Sequence, residues 1–334
     1  LPRAPFERNA VFDVRADTGS MQRLVISPAT ILCADWAKDA GKRAVWAADV
    51  DERTIGRVAA PDRWTFWSLI EYAKRLRRPS LVAMDVVLGV PHPYFERLRE
   101  VCGWEDSSSF TDWLPRAVRT AGFFDTASNV GEWAIARPFF AMPRGVGARR
   151  SFVQAAGFDL LRGVDRQCRG NPAFVVSGVP GSVGSATRAL WQELAPMLES
   201  KRAFRVWPFE GELDRLLRET PITVGEMYPR IAYAVAVAEE LPARPEAPRR
   251  KDRRSVREAW LSRLQSASWI HGGGVTIADV ASALASEDDF DALFTAAALL
   301  RCVVENVPLP AHLVDGRAEG GILGTEGVQW AHRS

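Results

Sequence analysis

Downstream of Met21 the apolar positions fall into short runs, each closed by polar or charged residues. "RLVISPATILCADWA" (23–37) reads as strand material that stays apolar through Ile31, Leu32, Cys33 and Ala34 and then stops at Asp35. "KRAVWAADVD" (42–51) alternates around Val45 and Trp46 as a second strand would, and "RTIGRVAAP" (53–61) suits a short third. The short spacings between them predict an antiparallel meander. In "RWTFWSLIEYAKRLRR" (63–78) the residues Trp64, Trp67, Leu69, Ile70, Ala73 and Leu76 recur near helical spacing, with a basic end that complements the helix dipole. "SLVAMDVVLGVP" (80–91) is a fourth apolar strand, again ended by an acid, Asp85. Three strands, a helix and a further strand predict an α/β arrangement.

The remainder is less regular. Residues 100–170 are rich in aromatics, Gly, Arg and Ser, and read as an insertion over one end of the sheet. "PAFVVSGV" (172–179) is either another strand or an apolar segment beneath that insertion; "SATRALWQELAPML" (185–198) is a helix. "FRVWPFEG" (204–211) is short and extended, and "ITVGEMYP" (222–229) is a strand ending in Glu226. A proline-broken basic stretch (243–258) reads as an exposed connection into a helix, and "DDFDALFTAAALLRCVVE" (288–305) is the last clear helix. Residues 1–20, polar and weakly patterned, are set aside as an extension, leaving 21–330 as one domain.

Composition narrows the function classes. A net charge of +2 gives no global pull towards nucleic acid or acidic membranes, so such binding requires a local patch. The four cysteines (Cys33, Cys102, Cys168, Cys302) form no CxxC pair, which argues against a zinc site or disulfide framework and for a reducing, cytoplasmic setting. No apolar run is long enough to span a bilayer, so no membrane partner is expected. Oligomeric state leaves no mark in the sequence.

The chemistry lies in the acids. Asp35, Asp85 and Glu226 each end an apolar strand, the place where open α/β sheets gather their sites. Asp288 and Asp291 stand three apart on one helix face. Clustered carboxylates raise one another's pKa unless a cation neutralises them, and oxygen-only donors select hard ions such as Mg2+ or Mn2+. Two such ions, roughly 4 Å apart, can activate water and stabilise the leaving oxygen in phosphodiester cleavage. Each acid also has an ordinary reading: Asp35 and Asp85 as strand-exit or turn acids, Glu226 paired with an arginine, Asp288 and Asp289 as helix-capping acids.

Other candidates are weaker. Ser177, Ser182 and Ser185 sit among glycines ahead of a helix, but the P-loop lysine is missing. The four histidines, His92, His271, His312 and His332, are isolated, and "HGGG" (271–274) has no nucleophile elbow to accompany it. The basic run that includes Arg250, Lys251 and Arg253 is ordinarily a solvated face; beside a metal site it would hold phosphates by charge. Twelve tryptophans are accounted for by a Trp-rich core, with base stacking as the alternative.

The stretches "DWAKD", "AMDVVLGVP", "NPAFVVSGVPGSVGSA", "RVWPFEG", "VGEMYP", "KDRR", "DDFDAL" and "EGGILG", spread from about residue 31 to 324, resemble the domain of unknown function 429 family of predicted RNase H-like nucleases. The paired acids of "DxxDA" (Asp288, Asp291, Ala292) resemble the RuvC-type branch of that superfamily. The sequence departs from the family pattern at Val86 and Val87 after Asp85, and at Gly321. The resemblance implies an RNase H-like mixed sheet, an antiparallel three-strand meander plus parallel strands, flanked by helices and carrying an insertion. It implies a Mg2+- or Mn2+-dependent nuclease. Asp35, Asp85, Asp288 and Asp291 would be ligands, Glu226 an adjacent ligand or base, and Arg250, Lys251 and Arg253 contacts to DNA or RNA phosphates. Two rival classes are a non-catalytic module of the same fold that binds nucleic acid or protein, and a phosphotransferase of the actin-like ATPase and sugar kinase type. The latter needs two glycine-rich phosphate loops, and only 178–184 would serve.

Overall fold

Alternation along the central strands sends Ile31, Cys33, Leu81 and Ala83 into one core, and Leu32, Ala34, Val82 and Met84 into another on the opposite face. A strand buried on both faces must read as a continuous apolar run, which explains the two acid-ended runs of the sequence. The computed structural model describes residues 27–142, 148–177, 182–199, 202–310 and 314–330. The expected N-terminal extension, His312 and His332 lie outside these residues, as do positions 178–181 of the Gly/Ser loop.

The strands are β1 (Thr30–Asp35), β2 (Ala44–Asp49), β3 (Thr54–Arg57), β4 (Ser80–Asp85), β5 (Phe140–Ala141), β6 (Val175–Ser177), β7 (Phe204–Val206), β8 (Ile222–Glu226) and β9 (Thr276–Ile277). Seven of them form one mixed sheet in the order β7-β8-β4-β1-β2-β3-β9, and β5 and β6 pair separately. The meander β1-β2-β3 is antiparallel; β4 joins β1 in parallel, and β8 and β7 extend the parallel half.

The helices are α1 (Phe66–Leu76), α2 (His92–Cys102), α3 (Phe110–Arg119), α4 (Ala148–Ala156), α5 (Gly163–Cys168), α6 (Gly184–Leu198), α7 (Leu213–Glu219), α8 (Pro229–Val237), α9 (Arg254–Gln265), α10 (Ser268–Gly272), α11 (Val280–Ala285) and α12 (Glu287–Val304). Apolar side chains of α8 and α12 cover one face of the sheet, and those of α1, α3 and α6 cover the other. At roughly 1.5–3 kcal/mol for each large apolar side chain buried, these two layers are the main hold on the sheet. Among the described residues no helix is long and apolar enough to cross a membrane.

Two sequence expectations are refined. In α1 the buried stripe is Phe66, Leu69, Ile70 and Ala73, and Trp67 is 60 % exposed. The capping box between Thr65 and Ser68 starts the helix at Phe66 and so sets its phase; Trp64 precedes the helix and is buried separately. The stretch expected as an insertion at 100–170 lies inside a larger excursion, residues 86–203, which holds α2 to α6 and the β5–β6 pair.

The loop after Asp85 interlocks with the C-terminal segment. Gly89 (φ +112°) lies where a side chain would meet the Ala318 and Glu319 carbonyls at 2.6 Å, and Gly320 (φ +76°) where one would run into the Leu88 carbonyl. Only glycine tolerates both the close approach and the backbone conformation.

Candidate functional site

Asp35 and Asp85 are direct register partners at the ends of the adjacent parallel strands β1 and β4. By the period of two, both point to the face that carries Ile31, Cys33, Leu81 and Ala83, the face that α12 covers. The first turns of α12 lie beside them, and Asp288 and Asp291, three residues apart, open onto the same space. The result is a cleft of about 370 Å³ whose wall includes Asp35, Asp85, Glu226, Asp288, Asp291 and Lys251. Trp36, Ser182 and Ser185 line it as well, Ser182 from just before α6 and Ser185 from its first turn. All five acids of the sequence reading therefore reach one cavity.

Their surroundings separate them. Glu226 pairs in register with Met84, one position short of Asp85, so alternation directs it from the opposite face of the sheet. There its carboxylate accepts hydrogen bonds from Arg162 Nη1 (2.7 Å) and Nη2 (2.6 Å) and from the Leu88 N–H (2.8 Å). Arg162 is fully buried and also donates to Asp165 from Nε (2.9 Å) and Nη2 (2.7 Å), and to the carbonyls of Leu88 and Glu319. Burial raises the Glu226 carboxyl above its ordinary range, while Arg162 opposes the rise. The contacts thus realise the arginine-paired reading of Glu226, and the pair holds the loop after Asp85 to β8 and α5.

Asp289 turns away from the cleft: its Oδ1 accepts from Trp46 Nε1 (3.0 Å) and Arg57 Nε (2.6 Å), which ties α12 to β2 and β3. Asp291 is buried and engaged on both oxygens, Oδ1 by the Tyr233 hydroxyl and Oδ2 by the Lys251 ammonium. Asp35, Asp85 and Asp288 form no ion pair among the described residues. Burial, and then the Asp291, Asp85 and Asp288 carboxylates, push Asp35 well above the usual carboxyl range, with Lys251 opposing. Burial and Asp291 push Asp85 up to about 8. Asp288, half-buried, is raised by burial and by Asp291. Burial works against the Lys251 charge, but Asp291, Asp35 and Asp85 outweigh it and raise the ammonium's pKa.

The donor chemistry, carboxylate oxygens only, suits a hard divalent ion, and mutually raised acids are what such an ion relieves. Among the described residues, no three Asp, Glu, His or Cys side chains stand close enough to hold one ion in the present packing. The cation paired with Asp291 is Lys251, which the sequence reading grouped with the exposed basic run. Arg250 and Arg253 do remain exposed, and Arg250 pairs with Asp252 (3.3 Å).

Sequence reasoning missed Arg162 and Tyr233 as site residues, and it expected Lys251 as a phosphate contact of the basic run where the structure pairs it with Asp291. Arg162 and Asp165 carried an i, i+3 signal, whereas nothing local marked Tyr233. His92 faces Asp315 (3.4 Å) at the surface and lines no part of the cleft. Trp46, Trp113, Trp191 and Trp207 are fully buried, so the tryptophans serve mainly as core. No family model matches the chain, and neither a curated protein nor a solved structure does.

Proposed function

We propose that this protein is an RNase H-like, Mg2+- or Mn2+-dependent nuclease that hydrolyses phosphodiester bonds in nucleic acid. The observation that carries the reading is the register pairing of Asp35 with Asp85 at the ends of two central parallel strands, across a cleft from Asp288 and Asp291. An antiparallel three-strand meander extended by parallel strands is the sheet order that an RNase H-like fold requires, which supports the same reading. Asp35, Asp85 and Asp288 are the residues that would hold the ions, with Asp291 completing the set. The ions supply activated water and charge neutralisation at the phosphate. The sheet ends fix Asp35 and Asp85 without loop freedom, as a preorganised site needs. Arg250 and Arg253, exposed beyond the cleft, would meet substrate phosphates independently of sequence.

One observation favours a second reading, a non-catalytic module that binds nucleic acid or protein: Asp291 already has two hydrogen-bond partners in Tyr233 and Lys251. Incubating the protein with labelled single- and double-stranded DNA and RNA, in Mg2+, Mn2+ and EDTA, separates the two. Cleavage that needs metal and is lost in Asp35→Asn supports the nuclease. Binding of any of the four without cleavage supports the module.

A further inference from the structure

We infer that Lys251 is a built-in counter-ion of the acid cluster that competes with a divalent cation for Asp291, so that metal binds by exchange with the lysine. The inference rests on the proposed metal site and specifies how that site is loaded.

Lys251 lies in the turn just before α9, yet its ammonium reaches across to Asp291 Oδ2 on α12. Its side chain keeps 37 % of its exposure, so the group can leave the carboxylate and enter water without unfolding anything. Two features aim it. Arg250, immediately before it, holds a left-handed backbone (φ +62°), a conformation disfavoured for a residue with a Cβ and sustained only where surrounding contacts impose it. Arg257, buried, donates through Nη1 to the Lys251 carbonyl (2.6 Å) and through Nη2 to the Leu284 carbonyl (2.7 Å), clamping the lysine's turn against α11.

A lysine on an exposed basic turn has no local reason to point inward. Here the turn is braced so that it does, and the target is the acid that stands beside Asp35, Asp85 and Asp288. Tyr233 holds the other oxygen of Asp291 with a neutral hydroxyl and brings no charge. Of the two groups that hold Asp291, Lys251 is the charged one and therefore the one that opposes a second cation: two cations drawn to the same carboxylate repel, and one must withdraw for the other to enter. Lysine suits the task because its ammonium is a point charge on a flexible stem, whereas a guanidinium fork would lock the carboxylate.

The test is metal affinity, measured without substrate. Full-length wild type, Lys251→Met and Lys251→Gln are titrated with Mn2+ and with Mg2+ by calorimetry, and melted in EDTA and in metal. Removal of the charge is expected to tighten metal binding by about ten-fold, the scale of one charge-assisted contact. The same variants should melt lower than wild type in EDTA and gain more from metal. Tyr233→Phe, which loosens Asp291 without changing charge, should shift affinity by no more than about three-fold. Gln keeps a donor for Asp291, so the comparison does not depend on one variant folding. If wild type binds metal and neither Lys251 variant binds it more tightly, the exchange is wrong and the metal site stands. If no form binds metal, the exchange and the proposed metal site fall together.

Discussion

Replacing Asp85 by Asn should make the protein more stable as the pH rises relative to wild type, because it removes a carboxyl that folding places in an unfavourable setting. In the unfolded chain this group titrates near 3.8, and in the folded protein burial and Asp291 hold it at about 8. Between those values the folded state binds the extra proton, so wild-type stability falls as the pH rises from about 4 and levels off above about 8. Four decades of displaced acidity at about 1.4 kcal/mol per decade bound the effect at roughly 6 kcal/mol. The effective dielectric even of buried sites is well above that of a dry interior, so about 2–3 kcal/mol is the realistic share. Asp35 is raised by burial and by Asp291, both of which remain in the variant, so the pH slope should shrink without vanishing. Urea unfolding in EDTA at pH values from about 5 to about 8, followed by circular dichroism, measures the slope directly. Curves for wild type and variant that stay parallel to within about 0.5 kcal/mol across the range would refute the electrostatic account of the cluster.

Arg162→Met should cost about 3–5 kcal/mol, because it leaves Asp165 and Glu226 buried without their partner; denaturant midpoints read it. Asp289→Ala should cost about 2–3 kcal/mol through the lost contacts to Trp46 and Arg57, while the melting response to Mn2+ stays as in wild type. Millimolar Mg2+ or Mn2+ should raise the melting temperature of wild type and not of Asp35→Asn, and an equal rise in both would place the ions elsewhere. Replacing Arg250 and Arg253 together by Ala should weaken binding of any nucleic acid about equally across sequences and flatten its salt dependence, which titrations at two salt concentrations would reveal.

Much of the scaffold is a local property of the chain and could be read directly. Runs that are apolar at every position require burial on both faces, so β1 and β4 were legible, as was the shorter stretch of β8, and so were the acids that end them. The i, i+3 spacing of Asp288 and Asp291 follows from helix geometry alone. What each acid touches was not local. Glu226 meets an arginine 64 residues away, and Asp291 meets Lys251 and Tyr233 at separations of 40 and 58. Those encounters depend on the register between strands distant in sequence and on where the turn before α9 comes to rest. The offset that pairs Glu226 with Met84 instead of Asp85 sends the third strand-end acid to the other face. Periodicity says that a side chain alternates, but only packing of the whole sheet decides which neighbour it alternates against. For that reason the sequence by itself determined which acids gather at the strand ends, and the tertiary structure alone decided that Glu226 is held by Arg162 and that Lys251 sits among the rest.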